Sequence, residues 1–168
     1  MKYMGGKALL AKKFAPILTE SLGRTGGRFL EPFTGGFNLV PALGDSVSRA
    51  ICSDNHPGLL TLYRAIRGGW EPPHELSRDE YARLKGVRDW NDPLTAFAAF
   101  GCSFAGKEFG GYASDGSDSN YAAIAARSLA KKARNYAAES QRLFQKKAPA
   151  FEKCAFHHVD YRDHGFWL

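Results

Sequence analysis

The chain has 168 residues, 44% of them hydrophobic, and its 23 Lys and Arg outnumber its 17 Asp and Glu for a formal charge of +6. That length and composition suit one ordinary domain with a real core and exclude a disordered tail. No apolar run approaches the roughly 20 residues of a membrane-spanning helix, and the N-terminal lysines precede no signal-type apolar core, so a soluble, cytoplasmic protein is expected, with no membrane partner.

The basic excess favours a polyanionic partner, because each phosphate neutralised by Lys or Arg releases counterions. Alone it is a weak indicator, since many basic proteins bind no nucleic acid. The three cysteines, Cys52, Cys102 and Cys154, are odd in number and far apart. This argues against a disulfide framework and a Cys-x-x-Cys metal knuckle, and predicts reduced, partly buried thiols.

In chain order, Leu9, Leu10, Phe14, Ile17 and Leu18 recur at helical spacing and predict an amphipathic helix from Lys7 to about Leu22. Arg28-Phe29-Leu30 opens a short strand that turns at Gly35-Gly36 into a helical stretch around Phe37 to Leu43. A second strand is predicted at Ser48 to Ser53, ending in Asp54-Asn55, and Pro57 starts a helix that stops at Gly68-Gly69. Pro72-Pro73 breaks this rhythm before Ser77, a candidate N-cap with Glu80 three residues on. Strand, glycine turn, helix, strand, helix is the opening of a wound α/β sheet.

From Asp92 to about Lys147 the composition changes. A helix at Pro93 to Gly101, a glycine and aromatic loop, and a long basic helix from about Tyr121 to Gln145 precede a return strand at Cys154 to Val159. The expected organisation is therefore a cofactor-binding part over residues 1–91, a mainly helical insertion over 92–147, and a return segment over 148–168.

The chemistry concentrates at "EPFTGG", Glu31 to Gly36, and at the acid that ends the next strand. Glycines let backbone approach a ligand at the strand's carboxyl end, and an acid about 20 residues later can accept ribose hydroxyls, a task Asp54 is placed for. The competing reading is a plain glycine turn with a solvated aspartate. A pyrophosphate needs more glycines at a helix N-terminus than Gly35-Gly36 supply, so a nucleoside without phosphates fits better. S-adenosylmethionine is such a ligand, and Glu31 suits its sulfonium and amino-acid end. His157 and His158 adjoin on a predicted strand and point to opposite faces, so no metal site is expected.

With "KYMGGK" (Lys2 to Lys7), "FLEPFTGGFNLV" (Phe29 to Val40), "SDNHPGLLTLYRAI" (Ser53 to Ile66), "GWEPP" (Gly69 to Pro73), "FAAFGCSFAGKEFGGYA" (Phe97 to Ala113) and "VDYRD" (Val159 to Asp163), the chain resembles the Dam-type DNA adenine-N6 methyltransferases, especially phage-encoded ones. The ordered set spans almost the whole chain and is far more specific than any single piece. The resemblance implies a Rossmann-like, S-adenosylmethionine-dependent methyltransferase fold with a target-recognition insertion. It also implies that Tyr3 and Lys7 contact the methionine part of the cofactor, that Glu31, Pro32, Phe33 and Gly35 form its main pocket, and that Asp54 takes the ribose. Asn55, Asp160 and Tyr161 would then flank the adenine.

Double-stranded DNA is the implied partner, and an enzyme acting on a base within a duplex must extrude it. Lys107, Phe109 and Tyr112 are the leading expected DNA contacts, with Arg127, Lys131, Lys132 and Arg134 meeting phosphates along the basic helix. A solvated basic face is the competing reading for that helix.

The family's catalytic Asp-Pro-Pro-Tyr does not occur in the sequence, nor does Asn-Pro-Pro-Tyr. The closing Gly165 to Leu168 reads as the approach to the strand that would carry it. The expected sheet is therefore incomplete, its first strand an open edge covered by a second chain or a homo-oligomer, and the polypeptide alone is expected to methylate little. A non-catalytic remnant retaining cofactor or DNA affinity is the alternative, and a nicotinamide-dependent oxidoreductase is disfavoured by the incomplete glycine fingerprint.

Overall fold

A computed structural model describes residues 3–23, 27–113, 122–129 and 153–162. The protein is mixed α/β, and the chain divides into two compact units, Gly5–His56 with Lys132–Leu168, and Met1–Met4 with Pro57–Lys131.

The first unit holds a parallel sheet in the order β1 (Gly27–Glu31), β2 (Val47–Asp54), β3 (Cys154–His158). The central strand β2 is buried along Cys52, Ser53 and Asp54, as a strand hydrogen-bonded on both sides requires. Alternation along β1 buries Glu31 and leaves Arg28 and Leu30 exposed. Cys52 and Cys154 meet on adjacent strands as free, buried thiols. A hydrogen bond between the Cys52 thiol and Cys154, then burial, pushes the Cys52 thiol far up, which makes it a poor nucleophile.

Helix α1 (Ala8–Leu22) forms where the 3.6-residue spacing predicts it. Its apolar face is not a core face, however. Ala11 is its one buried residue, while Leu9, Leu10, Phe14 and Ile17 are exposed, Leu9 at 79% and Ile17 at 62%. Periodicity reports which side chains share a face, not whether anything covers that face.

Helix α2 (Leu39–Leu43) starts two residues later than its hydrophobic pattern suggests. Phe37 takes φ 48°, in the left-handed region, and its amide donates to Thr34 O at 2.8 Å, so the turn is still closing there. That turn drives the Phe37 ring fully into the core, edge-on to Phe156 at 5.6 Å.

The second unit is helical. In α3 (Pro57–Arg67) Leu59, Leu60, Leu62 and Tyr63 are buried, and the helix ends through Gly68 and Gly69, the latter at φ 92°. Ser77 caps α4 (Arg78–Val87) by accepting the Glu80 amide at 3.1 Å. The reciprocal half of a capping box is replaced, because the Glu80 carboxylate pairs with Arg83 at 2.8 and 2.7 Å.

Asp92 caps α5 (Pro93–Ala96), receiving the Leu94 amide and the Thr95 hydroxyl, and the helix widens into a π-turn over Phe97–Gly101, buried throughout. Residues 122–129 form a further helix, α6, packed through Ala122, Ala125, Ala126 and Leu129. A Cβ on Gly101 would lie 3.1 Å from the Phe97 ring and 3.2 Å from the Ala125 Cβ, so a larger residue there requires these neighbours to shift by a few tenths of an ångström. The remainder of the predicted basic helix, including Lys131, Lys132 and Arg134, lies outside the described residues. No helix among the described residues is long and apolar enough to cross a membrane.

Candidate nucleoside site and recognition loop

The carboxyl ends of the three strands carry most of the candidate residues. Asp54 is buried at the end of β2. Its Oδ2 accepts the Gly35 amide at 2.8 Å and its Oδ1 the His56 amide at 3.0 Å. Each oxygen keeps a lone pair for a further donor, as a diol-binding carboxylate needs. Gly35 sits at φ 45°, which turns its N–H toward β2 at little steric cost.

Thr34 reinforces the same crossing. Its amide and hydroxyl both donate to Ser53 O, at 3.0 and 2.8 Å. Glu31 is buried at the end of β1, in register with Cys52. Pro32 O receives the Ser53 hydroxyl at 3.4 Å.

An exposed aromatic pair closes one side. The Phe33 ring lies 5.0 Å from that of Tyr161. Lys7 Nζ donates to Phe33 O at 2.8 Å and sits 5.6 Å from the same ring's centroid. The Arg162 guanidinium lies 5.8 Å from the Tyr161 ring. Asp160 is clasped by Arg162, whose amide, Nε and Nη2 donate at 2.9, 2.9 and 2.6 Å. These contacts hold its carboxyl well below the usual carboxylate range. Asn55 is exposed beyond β2, and its carbonyl faces His158 Nε2 at 3.0 Å.

Lys7, Glu31, Pro32, Phe33, Gly35, Asp54, Asn55, Asp160 and Tyr161 thus all belong to the sheet unit. Tyr3 belongs to the helical unit, where its ring packs at 5.4 Å from Phe100. Thr34, His158 and Arg162 are additions: Thr34 and Arg162 stand inside quoted motifs without a role assigned to them, and His158 lies outside them. Their signal is chemical only: polar side chains at, or within four residues past, a strand's carboxyl end.

In the helical unit, residues 103–112 form a tight loop closed by an antiparallel bridge from Ser103 to Tyr112 and by the Phe104 amide on Gly111 O at 2.9 Å. Lys107 is exposed on it. Phe109 is 4% exposed, its ring set between Tyr81 at 5.5 Å and Trp90 at 6.1 Å. Tyr112 is half-buried and its hydroxyl donates to Leu76 O at 2.7 Å. Both expected stacking rings are thus engaged in packing.

The exposed ring is Phe104, at 67%, beside Ala105 at φ 56° and Gly106 at φ 70°. In the sequence, nothing about Phe104 sets it apart from Phe109 within the same glycine and aromatic loop. A hydrogen-bond chain braces the loop's base: the Gly111 amide donates to the Tyr81 hydroxyl (3.3 Å), Tyr81 to Ser103 Oγ (2.8 Å), and Ser103 to Ala98 O (3.1 Å). Because Ser103 donates onward, Tyr81 is the donor between the two hydroxyls. Arg127 is exposed on α6, and its Nε donates to Ala123 O at 3.3 Å.

Among the described residues no group of three His, Cys, Asp or Glu is placed to hold a metal ion. Compared with models of known protein families and with curated proteins, the sequence gives no match.

Proposed function

We propose that this chain is the cofactor-binding and target-recognition part of a site-specific DNA adenine-N6 methyltransferase. The carrying observation is the Asp54–Gly35 crossing at the carboxyl ends of β1 and β2, with the exposed Phe33–Tyr161 pair in the same unit. Wound sheets bind nucleosides at such strand ends. S-adenosylmethionine, when bound, supplies an electrophilic methyl group.

The residues present fit that ligand. The Asp54 carboxylate accepts the ribose hydroxyls with its remaining lone pairs, and Phe33 with Tyr161 offers the base an aromatic surface. Glu31, a buried acid at the end of β1, complements a cationic sulfonium and amino group, and Lys7 a carboxylate. The 103–112 loop, with Phe104 and Lys107 exposed, meets DNA through one stacking ring and one phosphate contact.

With no Asp-Pro-Pro-Tyr or Asn-Pro-Pro-Tyr in the sequence, orientation of the target amine falls to a polypeptide that carries one. Bringing amine and methyl donor into line is worth about 7–11 kcal/mol in favourable cases. The test is calorimetric titration of the purified chain with S-adenosylmethionine and, separately, NAD, followed by transfer of radiolabelled methyl to adenine-containing duplex DNA with and without an added catalytic half. Binding of S-adenosylmethionine alone, and methylation only with the added half, supports the assignment. Preference for NAD ends it.

A further inference from the structure

Along α1 the exposed residues Leu10, Phe14, Ile17 and Ser21 fall four, three and four residues apart. This is the a/d rhythm of a two-helix seam, with Leu10 and Ile17 at d and Phe14 and Ser21 at a. Lys13 and Glu20 then both take the g position, on one flank of the seam, and Leu9 lies beside Lys13 on that flank. Ala11, the helix's buried residue, lies on the other flank. Lys13 and Glu20 are exposed, and among the described residues neither enters an ion pair. Seven residues apart in the chain, they stand about 10.5 Å from each other along the axis, too far to pair within one helix.

We infer that this face of α1 is the contact surface of a symmetric dimer, in which α1 of a second copy packs antiparallel across the seam and the Lys13–Glu20 pair forms twice. Reversing one helix about a two-fold axis brings like flanks together. With Phe14 packed on the partner's Ile17 and Leu10 on the partner's Ser21, Lys13 stands within about 3 Å, along the axis, of the partner's Glu20. The axis repeats that pair in reverse, so one cation and one anion make the face complementary to itself, as an isologous contact requires. A parallel pair faces g with e instead, and Lys13 would meet the partner's Leu18 with no counter-charge. One helix face is smaller than a standard interface, so the dimer is weak and concentration-dependent.

The test is sedimentation equilibrium of the full chain at rising concentration, in low and high salt. It compares the wild type with Lys13→Glu, Glu20→Lys and the double exchange of both. The wild type is expected to show a monomer–dimer equilibrium that weakens as salt screens the pairs. Each single reversal sets like charges against each other twice and should weaken the dimer about tenfold or more. The double exchange restores both pairs at unchanged net charge and should return to within about threefold of the wild type. Both positions are exposed, so the variants should fold as the wild type does. A wild type that stays monomeric throughout overturns the inference. So does a dimer that the single reversals leave unchanged, which would put the contact on another surface. A double exchange no tighter than the single variants overturns the antiparallel pairing.

Discussion

Asp54 and Gly35 are joined by one hydrogen bond of 2.8 Å, from the glycine amide to Oδ2, and this bond ties the turn after β1 to the end of β2. The other carboxylate oxygen holds the His56 amide at 3.0 Å. Asp54 therefore serves the fold and the proposed ligand with different lone pairs of the same atoms, and its substitutions should separate the two. Asp54→Ala strands two backbone donors and is expected to cost about 1–3 kcal/mol in urea unfolding. Asp54→Asn keeps one acceptor oxygen and should cost less. Both should lose tenfold or more in affinity for S-adenosylmethionine, because neither offers the ribose a full carboxylate. Undiminished affinity in Asp54→Asn would remove this residue from the site.

Phe104 and Phe109 make a second separable pair. Phe109 is packed between Tyr81 and Trp90, and Phe109→Ala should destabilise the protein by about 3–5 kcal/mol. Phe104 is exposed, so Phe104→Ala should leave the melting temperature within a degree or two and weaken binding to duplex DNA by about 1–3 kcal/mol, the usual worth of one base stacked on an aromatic ring. Lys107→Ala should instead lower the salt dependence of that binding by about one phosphate contact. Fluorescence anisotropy across a salt series reads both effects.

The contrast between those two phenylalanines shows where the sequence is legible. Each lies in "FAGKEFGGY" beside glycine and lysine, so composition treats them alike. Backbone conformation separates them: Phe109 sits at φ 42°, and its amide donates to Ala99 O at 3.0 Å, which anchors that part of the loop to the buried π-turn. Local rules succeed where the signal is local. The spacing of α1, the strand ending at Asp54, the Ser77 cap and the return strand at Cys154 are all readable. They fail where a tertiary contact decides: the late start of α2 follows from Phe37 turning into the core against Phe156, and nothing in "TGGFNLV" announces that partner. The Asp54–Gly35 crossing lies between. A glycine turn and an acid 19 residues apart suggest it, while the bracing by Thr34, which sits inside the motif, and by His158, which sits outside it, depends on tertiary hydrogen bonds.

Asp160 and Arg162 give a pH prediction. Hydrogen bonds from the Arg162 side chain, then from its backbone amide, lower the Asp160 carboxyl below its ordinary value of 3.8. A depressed carboxylate contributes stability that is complete above its unfolded-state range and is lost as pH falls through its own lower value. The clasp should therefore persist at a pH where ordinary aspartates are already protonated. Carbon-13 NMR titration of the Asp160 carboxyl should show this low midpoint, and Arg162→Gln should return it toward the ordinary range. Because both side chains face solvent, the global stability change should be small.

The three thiols yield a third kind of test. Cys52, Cys102 and Cys154 are free and buried, burial pushes the Cys102 thiol up to about 12, and the Cys154 contact pushes Cys52 further. Only thiolates attack disulfide reagents at useful rates. In the native chain at neutral pH an aromatic disulfide reagent should release almost no chromophore over minutes, and in denaturant it should titrate all three. Rapid reaction of even one native thiol would contradict this packing.

Helix α1 carries the sharpest consequence for handling the protein. Leu9, Leu10, Phe14 and Ile17 present an apolar stripe to solvent in the same unit as β1, which is an edge among the described strands. Contiguous exposed apolar side chains and unpaired strand edges both promote association. A charge placed on that stripe should act on self-association and hardly on folding. Ile17→Glu is expected to change unfolding free energy by no more than about 0.5 kcal/mol, as exposed substitutions do, and to shift light scattering toward the monomer at equal concentration. Ala11→Glu, at the one buried position of the same helix, should destabilise by several-fold more, since it forces a charge into a packed interior. If Ile17→Glu proved as damaging as Ala11→Glu, the stripe would be a core face in solution, and the exposure of α1 would be wrong.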